Sequence, residues 1–435
     1  MPPETVGTPK KPRFFYGWLI VLVSFFGDLM MAGVATHSFG FFVKPMTEAF
    51  GWTRAQISFS ATLRAITGAV SGIFLGPMLD RYGARPIMVG GAIIAGIGVI
   101  MLSRVTALWH FYLIHGIMDA AGLTAIGGLV ATTVVAKWFI RKRGRAMAIV
   151  SAGLPLGGVI LGPLTLYIIT NFGWRMAWVV LGILIWVIII PLAWIFMRRT
   201  PEDIGLLPDG EELSPQPEQG TKEEASTPNS AGSRVEEVWT LKEALRTPTL
   251  WIILLSFLSS GMGLSATMLH QIAYISDKGL PPSVGATNIM VWGIAAAVGS
   301  LFWGFLSERI PVRFCITAAF IVSAAGLFFI ITANTIEGVL IYSVIHGIGA
   351  GGSSPLDGII TANYYGRRFI GTIRGVLMPL RLISTGGGPL FAAYIYDTTR
   401  SYDLAFIIFA VAYLLGGILI LFAPPPKHKE PTGIT

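Results

Sequence analysis

Long apolar runs alternate with short polar breaks along almost the whole chain, and their lengths match a bilayer better than a globular core. The runs fall at 16–42, 54–76, 86–104, 108–136, 146–169 and 175–197, and after a gap at 249–272, 285–305, 314–332, 337–361, 371–394 and 403–423. A helix needs about 20 apolar residues to cross the roughly 30 Å hydrocarbon layer. The pattern therefore predicts an all-α membrane protein with twelve transmembrane helices in two sets of six. Glycine and proline interrupt several runs, as at Gly153-Leu-Pro155 and Gly386-Gly-Gly-Pro389, which helix bundles in lipid tolerate because neighbours satisfy the freed backbone groups.

The gap between the two sets changes character abruptly. Residues 200–245 are rich in Glu, Pro, Ser, Thr and Gly, as in Glu211-Glu-Leu-Ser-Pro-Gln-Pro-Glu218, and such a tract cannot bury a core. Three regions are expected: a six-helix half over 1–199, a flexible linker over 200–245, and a second half over 246–435. Trp239 to Arg246 has helical spacing, with Trp239 and Leu241 against polar neighbours, and reads as a short helix lying in the membrane interface.

Composition supports the membrane reading, since 53% of the 435 residues are hydrophobic and 12% charged, against about 25% charged in soluble domains. The net charge of +8 could suggest nucleic acid, but its distribution points elsewhere. With the N-terminus inside, 23 of the 31 Lys and Arg fall in cytosolic segments, six outside and two, Arg64 and Arg381, within the membrane. That asymmetry orients the chain with both termini cytosolic. The cluster Lys137, Arg141, Lys142, Arg143 and Arg145 then reads as a lipid-facing cytosolic loop, and no nucleic-acid partner is expected. Cys315 is the sole cysteine, which excludes an intrachain disulfide. No cleavable signal is visible, because the first apolar run is too long and follows a Pro-rich, basic tail.

One short pattern appears twice. Gly76-Pro-Met-Leu-Asp80-Arg81-Tyr-Gly83-Ala-Arg85 returns 228 residues later as Gly304-Phe-Leu-Ser-Glu308-Arg309-Ile-Pro-Val-Arg313. The glycine permits close helix contact, the acid can cap a neighbouring helix N-terminus, and the arginines stay at the headgroup layer. Each arginine taken alone is equally an ordinary positive-inside residue. Two homologous membrane-embedded halves point to a secondary transporter. The first copy resembles the loop between the second and third helices of the major facilitator superfamily, Gly-x-x-x-Asp-Arg-x-Gly-Arg-Arg/Lys, with Arg85 one place late. The resemblance implies a cytosolic gate of Gly76, Asp80, Arg81, Gly83, Arg85, Glu308, Arg309 and Arg313, whose contacts break and re-form as two pseudo-symmetric six-helix bundles rock.

Ser38 to Pro45 with Phe50 to Ser58, Trp138 to Gly153, and Arg199 to Gly210 are similar to the corresponding segments of the monocarboxylate and oxalate:formate carriers. One departure is that animal monocarboxylate carriers place an Asp and an Arg in the eighth helix, whereas 285–305 holds no charge here. Oxalate carriers pair an eighth-helix arginine with an eleventh-helix lysine, and this chain offers Arg381 in the latter region.

Charges inside the membrane are costly, about 2.5–3.5 kcal/mol even on insertion scales, and mark functional positions. Asp28, Arg64, Asp119 and Arg381 qualify. Arg64 lies ten residues after Arg54 and twelve before Gly76, near the midplane at about 1.5 Å per residue. The resemblance brings the second and eleventh helices together, placing Arg64 and Arg381 at the edge of one cavity where a carboxylate could bridge their guanidinium forks. Three alternatives stay open: Asp28 neutralises Arg64 as a structural pair; Asp28 takes a proton when the anion binds; Arg381 pairs with an acid on another helix. His115 and His346 occupy repeat-related Ile-His-Gly-Ile segments on the fourth and tenth helices. They are proton-coupling candidates with Asp28 and Asp119, or simply bond neighbouring carbonyls.

The expectation is a monomeric, multi-pass carrier of a small carboxylate in the plasma membrane, the inner membrane if bacterial, coupled to protons or to a counter-anion. A drug/proton antiporter binding cations at Asp28 and Asp119 is the alternative, and a non-transporting membrane sensor the second. With no phosphate loop, metal-ligand cluster or nucleophile elbow in the sequence, no enzyme, metal or cofactor is expected.

Overall fold

The computed structural model describes residues 14–210 and 238–427. Regular structure among them is helical throughout. The first half comprises α1 (Gly17–Phe50), α2 (Arg54–Tyr82), α3 (Ala84–Leu102), α4 (Leu108–Trp138), α5 (Arg143–Phe172) and α6 (Trp174–Phe196). The second comprises α7 (Pro248–Asp277), α8 (Pro282–Leu306), α9 (Val312–Thr332), α10, α11 (Ile370–Thr399) and α12 (Asp403–Leu421). Among the described residues eleven helices are long and apolar enough to cross a membrane. The exception, α10, breaks at Gly352 into Ile336–Gly351 and Ser353–Tyr365, of 16 and 13 residues. Neither piece spans alone, and end to end they cover the predicted run. With twelve passes, both termini and the connections after every even-numbered helix share one face, the terminal face.

The halves meet through stripes of small residues, which let helix backbones approach closely in the absence of a hydrophobic driving force between helices. On α2 and α11, Cβ atoms added to Gly76 and Gly375 would lie 2.3 Å from the carbonyl oxygens of Gly371 and Gly72 respectively. On α5 and α8, a Cβ at Gly144 would lie 2.3 Å from the Gly304 oxygen. The expected neighbourhood of the second and eleventh helices is thus observed, and α5 with α8 repeats it across the pseudo-symmetry.

The linker expectation divides. Residues 211–237 lie outside the described residues. The segment just before them folds onto the terminal face, where Asp209, at φ 59°, accepts the main-chain N–H groups of Ile140, Arg141 and Lys142 at 2.9, 2.7 and 3.0 Å. After them a helix forms over Leu241–Leu245, started by a reciprocal Thr240–Glu243 capping box. Trp239, expected at the lipid interface, is instead 4% exposed and packs edge-on against Tyr365 at 5.8 Å between ring centres. Its indole finds more apolar surface against the end of α10 than the headgroup layer offers.

Gly76→Ala should destabilise this arrangement by about 1–3 kcal/mol, the usual cost of overpacking, and lower the melting temperature of the purified protein. Gly40→Ala, where nothing lies within 4 Å of an added Cβ, should leave it unchanged; equal melting temperatures would contradict the close-contact account.

Candidate functional site

Asp80, at the end of α2, reaches across to the start of α11. Its Oδ2 accepts from the N–H and the Oγ1 of Thr372 at 2.7 and 2.8 Å, and its Oδ1 from Lys137 Nζ at 2.8 Å. Glu308, just past α8, does the same at the start of α5, accepting the Arg145 N–H at 2.9 Å and its guanidinium at 2.6 Å. Thr372 and Arg145 are each the third residue of their helix, where a main-chain N–H has no intrahelical partner and the helix dipole favours an anion. Each acid therefore caps a helix of the opposite half.

The other residues of the repeated pattern play lesser parts. Gly83 takes φ +80°, conformational space that a glycine enters without strain, and turns α2 into α3. Arg85 donates Nε to the Met197 carbonyl at 2.9 Å. Arg81 lies 5.2 Å over the Tyr82 ring, Arg313 lies 5.1 Å over Phe314, and Arg309 is exposed.

Two of the five residues expected in a lipid-facing loop are turned inward. Lys137 and Arg143 are 4% and 3% exposed. Arg143 donates to the carbonyls of Phe139 and Ala136 and, across the halves, to Asn363 Oδ1 at 2.7 Å. Positive-inside counting sets which side a charge is on and is blind to whether it faces lipid or protein.

Deeper in, helix breaks organise the buried charges. After Thr124, α4 loosens until Gly128, at φ +56°, starts its second piece, Leu129–Trp138. Asp28 on α1 is fully buried and its Oδ1 accepts the Gly128 N–H at 2.6 Å. One turn further on, Thr132 Oγ1 accepts from Arg374 Nη1 of α11 at 2.6 Å. Arg374 and Arg381 share a single acid, Asp357 on the second piece of α10, at 3.0 and 2.7 Å. In the first half, Arg64 Nη1 lies 3.4 Å from both oxygens of Asp119.

These partners settle which acid each arginine faces. Arg64 pairs with Asp119 and not with Asp28, whose Oδ2 has no hydrogen-bond partner among the described residues. Arg381 does pair with an acid on another helix. Arg64 and Arg381 are held by different acids, Asp119 and Asp357, in opposite halves. His115 is stacked between Phe39 and Phe111, at 4.7 and 5.1 Å, and neither ring nitrogen has a partner among the described residues. His346 Nδ1 accepts the Trp292 indole N–H at 3.0 Å, so its proton sits on Nε2.

Asp357 and Arg374 escaped the sequence reading. Arg374 lies close enough to the end of its apolar run to count among cytosolic charges, yet its side chain is 10% exposed. Asp357 follows Gly351-Gly-Ser-Ser-Pro355, which resembles a boundary. Its flanks Leu356, Ile359 and Ile360, all 2% exposed or less, were the available signal.

Twelve helices in two capped halves around a core of paired charges define a membrane carrier. The Major Facilitator Superfamily profile matches residues 17–296 and 271–435, and the chain belongs to that superfamily. It is 23% identical over 422 residues to monocarboxylate transporter 13 of Rattus norvegicus, covering 96% of this chain and 90% of that protein. It is 26% identical over 419 residues to the oxalate:formate antiporter of Oxalobacter formigenes, covering 95% and 92%. Among solved structures it resembles a proton:xylose symporter (TM-score 0.69, 12% identity, 94% of this chain and 96% of the other). The E. coli fucose:proton symporter gives the same score and identity over 94% and 99%. The protein is a multi-pass secondary transporter and not an enzyme.

Because two arginines share Asp357, Asp357→Ala should cost more stability than Arg381→Ala. Breaking a buried pair typically costs about 3–5 kcal/mol, whereas losing Arg381 leaves Asp357 still paired with Arg374. Melting temperatures of the two purified variants check this, and a smaller drop for Asp357→Ala would refute it.

Proposed function

We propose that the protein carries a small monocarboxylate by alternating access, with a proton as the accompanying ion. The halves that rock are residues 1–199 and 246–435, joined by 200–245. The terminal face is cytosolic and the membrane is the plasma membrane, the reading that the inside excess of Lys and Arg supports. Asp80 and Glu308 are the working parts of the cytosolic gate, with Gly76, Gly83, Arg81, Arg85, Arg309 and Arg313 shaping and flanking it.

The observation that carries this reading is the unequal sharing around Asp357. One carboxylate serves two guanidinium groups, so the second half holds a surplus positive charge. Arg381 donates one Nη2 bond to Asp357, its side chain is 28% exposed, and its Nε and Nη1 make no hydrogen bond among the described residues. The Nη2 hydrogen not given to Asp357 leaves one edge of the fork, shared with Nε or with Nη1, for a carboxylate to bind bidentately. Arg64, 15% exposed in its side chain, is the contribution of the first half. The relatives are named for monocarboxylates, for formate and for the dicarboxylate oxalate, all small carboxylates.

Charge balance supports a proton as the second passenger. Arg64 and Asp119 cancel; Asp28, when ionised, offsets the surplus of Arg374, Arg381 and Asp357. An arriving monoanion leaves the interior one negative charge in excess, and a proton on Asp28 restores neutrality. Asp28 is favoured over the other coupling candidates. Asp119 is held by Arg64, His346 is engaged by Trp292, and His115 stands among aromatic rings.

Uptake of a panel of labelled acids into proteoliposomes tests the reading. Arg381→Lys keeps the charge without the fork and should weaken binding by about 1–3 kcal/mol, while Arg381→Ala should abolish anion uptake. A well-folded Arg381→Ala protein that still accumulates the acid would remove Arg381 from the site, and uptake of cationic amphiphiles in place of acids would favour the drug antiporter.

A further inference from the structure

A cavity of about 320 Å³ opens on the terminal face beside the gate. Its floor is the Lys137–Asp80 pair, at 2.8 Å with side chains 6% and 8% exposed. Its walls carry Arg199 and Glu202, from the segment after α6, and Arg367 and Arg368, from the connection between α10 and α11. Both halves therefore contribute to it.

Among the described residues four cations meet two carboxylates here. Lys137 is matched by Asp80, and Arg367 by Glu202 at 2.7 Å. Arg199 gives Nη2 to the main-chain oxygen of Asp80 at 2.9 Å, and Arg368 lies 5.4 Å from the Phe369 ring centre. Neither has a carboxylate within ion-pair distance among the described residues. A concave surface with two surplus positive charges concentrates anions, its volume suits a small organic acid, and guanidinium forks favour a carboxylate.

We propose that this cavity is a second anion site, filled from the terminal side by a small carboxylate, and that its occupant competes with Asp80 for Lys137 and so loosens the closed terminal face. The identity of the occupant rests on the carboxylate reading above; the site itself rests on the cavity. Asp80 holds the start of α11 while its own charge is neutralised by Lys137. Drawing the ammonium towards a bound anion leaves Asp80 buried with its compensation weakened, which destabilises the cross-half contact. An anion waiting on the terminal side thereby speeds the opening of that face, and exchange outpaces net movement.

Ser354 Oγ lies 3.2 Å from Ser151 Oγ across the halves, behind the gate, so a thiol there reports opening. In purified full-length protein carrying Cys315→Ser and Ser354→Cys, sodium formate should accelerate labelling by a hydrophilic maleimide several-fold and saturably. Sodium chloride at equal ionic strength should not. Adding Arg199→Gln and Arg368→Gln should remove the acceleration, and adding Arg381→Lys should leave it in place. No acceleration by formate, equal acceleration by chloride, or acceleration that survives the double glutamine variant would overturn the proposal. Loss through Arg381→Lys alone would overturn it too, by tracing the effect to the deep site. Failure of the deep site would appear separately, as anion uptake that persists in Arg381→Ala.

Discussion

Two carboxylates hold the observed arrangement together by capping helices that belong to the other half. Asp80 and Glu308 each occupy the start of a long helix, α11 and α5, where unpaired N–H groups and the helix dipole favour an anion. Each cap is helped by the glycine four residues earlier in the chain. Gly76 and Gly304 bring the helices close enough that a methyl group would collide with Gly371 in one case and with Ala148 or Gly144 in the other. The inter-half hydrogen bonds of Arg143, Ala148, Ser151 and Thr132 lie in the same terminal-face half of the bundle. Closure on that side is thus a sum of short polar contacts over a small-residue seam, which a modest change in charge balance can undo.

Much of this was legible in the chain because lipid imposes simple rules. Run length gave the passes, and the Asp80 and Glu308 patterns gave the capping role of the two acids. What stayed hidden was pairing, since a charge on one helix says nothing of which helix will face it. Arg64 found Asp119 on α4 while Asp28 went to a helix break. Asp357 and Arg374 were hidden by their position near apolar run ends, and Lys137 by the basic cluster around it. Trp239 was misplaced because amphipathic spacing does not distinguish a lipid interface from a protein groove.

The breaks in α4 and α10 explain where the buried charges gather. A discontinuous helix exposes N–H groups at membrane depth, and such ends are used to hold ions or substrates in transporters. Here Asp28 occupies the break in α4, while the second piece of α10 carries Asp357, which gathers Arg374 and Arg381. Arg374 also reaches Thr132 across the halves. The charge cluster around Asp357 is thereby tied directly to the contact between halves.

The central claim is that the interior balances its charge, so that a monoanion crosses with one proton. Proteoliposomes holding a trapped pH indicator and supplied with a labelled monocarboxylate report both fluxes together, with Arg381→Ala vesicles correcting for passive permeation of the acid. The account predicts one proton entering per carboxylate, at a rate unaffected by clamping the membrane potential. Carboxylate uptake without proton entry, and only into vesicles preloaded with a counter-anion, would contradict it.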